Sequence, residues 1–169
     1  MLRIDNEVVS LAPPPLTEVD LWQFRDDVAA ADDAERRGDR KVAIASLEQA
    51  CRRWRGEPFV ELDREELTGA IEEVRTMLTT TALRLGELLL VAGRFDDAAT
   101  WADRVTRSAP YDERAHRLAI AAHIHRRDRQ AIAHAVATTL ALLDDFGVDP
   151  EPETKMLLRQ AEDHIGRPS

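Results

Sequence analysis

The sequence predicts an all-α protein, about seven helices stacked in pairs as an α-solenoid behind a short N-terminal hairpin. Three observations carry that expectation. The composition is 44% apolar and 33% charged but only 5% aromatic, the balance of a chain rich in the strong helix formers Ala, Leu, Glu and Arg. Apolar residues return at steps of three or four through the chain after Thr17, as an amphipathic helix requires. The third is internal repetition. GDRKVAIASLEQA, from Gly38, and GRFDDAATWADRV, from Gly93, share a glycine and an alanine five residues on, and RRDRQAIAHAVATTL repeats the plan with Arg126 in the glycine position.

The first eighteen residues stand apart from the rest. Short apolar runs flank Asp5-Asn6, a turn-prone pair, and predict a small hairpin. Pro13, Pro14 and Pro15 then make a stiff extended connector. Thr17 and Asp20 form a capping arrangement for a helix from about Val19 to Arg37, ended by Gly38. A second helix covers about Arg40 to Arg55, with Val42, Leu47, Ala50 and Trp54 on its inner side. GEPFVELD, from Gly56 to Asp63, reads as a loop. A long helix follows from about Glu65 to Ala92, where Leu67, Ile71, Val74, Leu78, Ala82, Leu85 and Leu89 trace one apolar stripe.

Helices from about Phe95 to Ser108, Asp112 to Arg126, Arg129 to Phe146 and Pro150 to Ile165 complete the body, leaving 166–169 as a tail. The corner GVDPEPE between the last two has its own logic. Gly147 is set to close one helix in the left-handed conformation, with Val148 folding back on its last turn. Asp149 is expected to cap the next helix with Pro150 at its first position, and Glu151 and Glu153 to meet the positive end of its dipole.

The repeat sets the architecture. Ala98 and Ala131 are 33 residues apart, close to the ~34 of a tetratricopeptide repeat. Small residues recur where paired helices must approach closely. Each pair leaves an apolar face that only a neighbour can cover. The expectation is a tetratricopeptide-like α-solenoid of two to three helix pairs, capped by the last helix.

Charge and cysteine content narrow the function. A net charge of −9 makes these residues a poor nucleic-acid binder, because that affinity rests on cations against phosphates. Protein partners are expected instead. A single cysteine, Cys51, rules out an internal disulfide and a cysteine-based zinc site, and points to a reducing, cytoplasmic setting. No stretch approaches the ~18 apolar residues of a membrane span, and MLRIDNEVVSL lacks a secretory-signal layout.

No constellation of residues supports catalysis or a cofactor. His116 and His123 share a helical face but have no clear third ligand, and with His125 and His134 they read as partly exposed helix residues. The adjacent carboxylates Asp26-Asp27, Asp96-Asp97 and Asp144-Asp145 diverge on a helix and read as solvated faces or helix-end charges. Cys51 and the tryptophans Trp22, Trp54 and Trp101 read as core. One surface has a better claim. The first helix of each pair in a tetratricopeptide array lines a concave groove. Threading the sequence on that repeat puts Thr80, Leu83, Glu87 and Leu90 there, facing Arg114, Arg117, Ala121 and His125. The two arginines could read an acidic group; the competing reading pairs them with Asp112 or Glu113.

These residues together resemble a known family. The Trp-Arg-Gly-Glu-Pro element (Trp54 to Pro58), a long helix carrying Arg75, the Gly93-Arg94 turn, PYDERAHR and the closing LLDDFGVDPEPET are similar in order and spacing to the bacterial transcriptional activator domain. That domain follows a winged helix in regulators of the Streptomyces antibiotic regulatory protein (SARP) type. VDLWQF, from Val19, resembles its first helix, so the domain is expected over residues 19–165. The resemblance implies a non-enzymatic regulatory module, with roles in dimerisation, effector sensing or contact with transcription machinery. It implies DNA contact only through an upstream winged helix, of which residues 1–18 would be the last hairpin. A free-standing scaffold holding a peptide in its groove is the alternative. Two departures stand out: Leu67 where the family usually has an aromatic, and Arg126 where the turn usually has Gly.

Overall fold

The computed structural model describes residues 2–5, 8–11, 20–54 and 68–166. β1 (Leu2–Asp5) and β2 (Val8–Leu11) pair antiparallel, with Leu2 opposite Leu11 and Asp5 opposite Val8, so the expected hairpin is present. Seven helices follow among the described residues: α1 (Asp20–Arg36), α2 (Arg40–Arg52), α3 (Thr68–Val91), α4 (Phe95–Ser108), α5 (Glu113–Arg126), α6 (Arg129–Phe146) and α7 (Pro152–Gly166). The proline connector, Thr17, the GEPFVELD loop and Leu67 lie outside the described residues.

The helices pack as the repeat requires. α1 lies on α2, α3 on α4 and α5 on α6, and each pair also meets the next. The seams are built from small side chains: Ala31, Ala43, Ala50, Ala82, Ala98, Ala102, Ala115 and Ala122 are all fully buried. Short side chains let the backbones close up until dispersion contacts are made on every side. Between them sit the larger buried side chains Phe24, Leu47, Leu85, Leu89 and Val105, each contributing ~1.5–3 kcal/mol of apolar burial. One core runs from α1 to α5; a second, of Ile120, Ile124, Ile132, Ala135, Leu158 and Ala161, joins α5 to α6 and α7. The long-helix stripe is confirmed from Ile71 to Leu89.

The tightest approach is between α3 and α5. A Cβ added to Gly86 would lie 2.3 Å from Leu118 Cδ2 and 3.2 Å from its Cγ. Leu118 is itself buried, so it has little room to withdraw. Gly86 is therefore what lets two successive pairs stack.

Within each pair the turn uses one left-handed residue: Gly38 at φ 74°, Gly93 at φ 76° and Arg127 at φ 57°. This corrects the sequence alignment of the third repeat, which set Arg126 in the glycine position. Arg126 is still helical, and Arg127 closes the helix. In the corrected register Ile132, fully buried, takes the repeat position that Ala98 holds in the second pair. Gly93 to Arg127 and Ala98 to Ile132 are each 34 residues, the full repeat length. The shift arose because Ala131 mimics the repeat alanine while a bulkier Ile occupies its place. Asp39 and Asp128 then cap α2 and α6 through Val42 N and Ala131 N, at 3.2 and 3.0 Å.

Three other expectations change. α7 starts at Pro152 rather than Pro150, with Glu151 O accepting from Lys155 N at 2.9 Å. Asp149-Pro150 and Glu151-Pro152 carry the same start signal, and the helix uses the second. Val42 and Trp22 face solvent at 43% and 46% exposure rather than the core. His116 is buried, not partly exposed: its Nε2 lies 2.8 Å from Pro110 O, and Nδ1 is 3.4 Å from Thr139 Oγ1. The Gly147 corner is as expected, with Gly147 at φ 60° and Val148 N donating to Leu143 O at 3.1 Å.

Two outcomes follow for stability. Gly86→Ala should destabilise the fold by about 1–2 kcal/mol, overpacking outweighing the gain in helix propensity. Gly69→Ala, where a Cβ meets nothing within 4 Å, should be neutral or stabilising; urea unfolding of both variants checks the contrast. Arg127→Gly should stabilise by roughly 0.5–1 kcal/mol by relieving left-handed strain, visible as a higher unfolding midpoint.

Candidate partner-binding face

α3 touches α5 and α5 touches α7, whereas among the described residues α4 and α6 make no comparable contact. From α3 onward the first helices of the pairs are therefore drawn together, and the surface they share is the wall on which the sequence places its candidate residues.

The eight residues expected on that wall fare differently. Thr80, Glu87, Arg114 and His125 are exposed. Leu90 and Ala121 are half-buried, Leu90 packing on the main core. Leu83 is 3% exposed and belongs to the core itself. His125 stacks flat on Phe95 of α4, ring centres 4.7 Å apart and 7° from parallel. That contact fixes the imidazole at the far end of α5.

The two arginines separate by role. Arg114 is gripped by Asp112, whose Oδ1 accepts from Nε at 3.0 Å and Oδ2 from an Nη2 at 2.7 Å. Asp112 also caps α5 through Arg114 N at 3.0 Å. Burial alone would raise the Asp112 carboxyl, but the bonds from Arg114 together outweigh it and hold it below the ordinary carboxylate value. Glu87, across the α3–α5 seam, and Glu151 add negative potential at the Arg114 guanidinium. Its side chain remains 52% exposed. The result is a solvent-facing guanidinium with a fixed orientation.

Arg117 is occupied by structure. Its Nη1 donates to Glu151 Oε2 at 2.6 Å and to Thr154 Oγ1 at 2.8 Å. Thr154 is fully buried, so Arg117 satisfies a hydroxyl that water cannot reach. Glu113 completes the clasp, its carboxylate accepting from Glu151 N at 3.0 Å. These residues tie the start of α7 to the start of α5. Sequence reading missed Glu151 and Thr154 as partners because they lie 34 and 37 positions from Arg117, with no local pattern to link them.

Elsewhere ionic pairs lock the stack. Arg84 of α3 reaches Asp32 and Glu35 of α1 at 2.6 and 3.0 Å. Arg94 bridges Glu48 of α2 and Asp97, and Arg126 meets Asp96 at 2.8 Å. The carboxylates Asp27, Asp96 and Asp97 therefore act as ion-pair partners of arginines. Arg104 lies over Trp54 and Trp101, 4.7 and 5.3 Å from the ring centres. The Cys51 thiol, 1% exposed, is pushed up to about 12 by burial and stays neutral at physiological pH. His123 is held below its ordinary value by burial, with Arg126 adding to the effect. Among the described residues no three His, Cys, Asp or Glu side chains converge as a metal site, and no helix is long and apolar enough to cross a membrane.

A stack of helix pairs, closed by alanine and glycine seams, defines a helical-repeat domain of the tetratricopeptide type. Residues 19–161 match the bacterial transcriptional activator domain, and the chain belongs to that family. It is also 33% identical over 163 residues to the regulatory protein AfsR of Streptomyces griseus, an alignment covering 89% of this chain and 16% of that protein. The chain is thus a bacterial transcriptional activator domain of the SARP type, and it spans a small part of the length of the relative it matches.

The two arginines are separable by experiment. Arg117→Ala should cost about 2 kcal/mol by leaving Thr154 buried without its donor. Arg114→Ala, at an exposed pair, should cost less than about 1 kcal/mol. Thermal unfolding of the two variants checks the order, and a larger loss at Arg114 would reverse the assignment.

Proposed function

We propose that this domain is the protein-contact module of a SARP-type regulator and that the wall shared by its first helices is where a protein partner is held. The partner is a protein segment, from the same regulator or from the transcription machinery, and DNA is contacted through a winged helix elsewhere in the regulator. The observation that carries this reading is the exposed Arg114, its orientation fixed by Asp112, with Glu87 across the α3–α5 seam acting on it electrostatically and Thr80, Leu90, Ala121 and His125 wholly or partly exposed on the same two helices. A fixed guanidinium beside a carboxylate can pair with opposite charges on a bound segment, which favours register and specificity more than bulk affinity. Leu83 supports the wall from behind, and Arg117 holds the cap that closes its far end.

Family membership supports the regulatory setting. The acidic balance of the chain, −9 overall, supports a division of labour in which phosphate contact is made elsewhere. In AfsR the matching region is a minor part of a longer regulatory protein, which favours a module over a free-standing scaffold.

The test is a charge reversal in the intact regulator. Arg114→Glu with Glu87→Lys should lower activation of a dependent reporter by about tenfold or more. Operator binding by the purified regulator and its melting temperature should stay near those of the parent. Undiminished activation in the folded double variant would exclude that wall.

A further inference from the structure

The described part of the molecule exposes eight large apolar side chains, most of them singly. Isolated apolar residues are ordinary on a protein surface; a contiguous group is not. Tyr111, Phe146 and Val148 form such a group, 67%, 56% and 53% exposed. Tyr111 comes from the α4–α5 connection, Phe146 is the last residue of α6 and Val148 follows the Gly147 turn. The two rings meet edge to face at 4.7 Å. With Leu142, Leu143 and Glu113 these residues wall a mainly apolar cleft of about 350 Å³, room for one large side chain or two small ones.

Glu113 is an acid in the cleft wall itself, and the segment that supplies Leu142, Leu143, Phe146 and Val148 is acidic. Between Leu142 and Glu153 the sequence carries Asp144, Asp145, Asp149, Glu151 and Glu153 and no cation. Glu151 is held by Arg117, while Asp144, Asp145 and Asp149 face solvent with no ion pair among the described residues. Asp144 and Asp145 also sit in the last turn of α6, which has no basic residue. That is the negative end of the helix dipole, where acids are disfavoured. Neither the fold nor the dipole accounts for them there, and they are neighbours in sequence of the cleft residues Leu143 and Phe146.

We propose that this cleft docks a cationic peptide segment, with one aromatic or leucine anchor seated against Tyr111 and Phe146 and flanking Lys or Arg facing Asp144, Asp145 and Asp149. A second copy of the chain fits poorly. It would bring the same acidic segments together, which opposes association, and three exposed side chains supply far less than the ~800 Å² per partner of a stable dimer. The site uses residues separate from the first-helix wall, so each can fail without the other.

The test uses the purified chain and two labelled synthetic peptides with the same Leu and Phe anchors, one flanked by Lys and one by Glu. Fluorescence anisotropy should show the Lys peptide binding at least about tenfold tighter, with affinity falling as salt rises. Phe146→Ser and Tyr111→Ser should each weaken it about tenfold without changing helicity or melting temperature, since both rings are exposed. The paired change Asp144→Lys and Asp145→Lys should transfer the preference to the Glu peptide, a reversal that mere loss of folding cannot produce. The proposal is overturned if neither peptide binds or if both bind alike. It is equally overturned if binding ignores Phe146 and depends on Glu87 and Arg114, or if the chain self-associates through Phe146 on ultracentrifugation.

Discussion

Everything in this domain depends on how closely its helices can approach. At Gly86 the backbone of α3 comes so near α5 that even a methyl group would meet Leu118. Along the other seams, Ala82, Ala98, Ala102, Ala115 and Ala122 keep the same closeness with the smallest side chain that still favours a helix. Close approach fills space on both sides of each helix, and dense packing is what makes a thin, two-layer stack stable. A looser seam would leave α5, which contacts α3, α4, α6 and α7, without a defined position.

That closeness has consequences at the surface. Because α3, α5 and α7 are drawn together, side chains from different pairs meet. Glu87 comes near Arg114, and Arg117 reaches the buried Thr154 of the cap. The same drawing-in makes the start of α7 abut the start of α5, where Glu113 holds Glu151 N. The corner that permits this, Gly147 to Glu151, leaves Phe146 and Val148 outside the core beside Tyr111. Local turn chemistry and an exposed apolar cleft are thus two aspects of one short segment.

Much of the fold was legible in the sequence because its signals are local. Helical periodicity located the helices, and α4 and α6 fall on the expected residues. Gly38, Gly93 and Gly147 marked three left-handed turns. The failures arose where two similar signals competed. Ala131 imitated the repeat alanine and displaced the third repeat by one residue, and two Xaa-Pro steps offered α7 a start. Val42 and Trp22 mislead because apolar residues at helical spacing do not reveal which of several faces has a neighbour. The site was only half legible. Threading on the repeat identified Glu87, Arg114 and His125 as exposed on the first helices, but Leu83 lies in the core and Arg117 serves the cap. Both outcomes depend on contacts between residues far apart in sequence, which no periodicity encodes.

Native-state hydrogen exchange would test most directly whether the stack is held by its tight central seams. Amides of α3, α4 and α5 should open only with global unfolding, while α7, attached through the smaller second core and the Arg117 clasp, should open separately at lower free energy. Protection in α7 equal to that of α5, or α5 exchanging before the terminal helices, would contradict that order of opening.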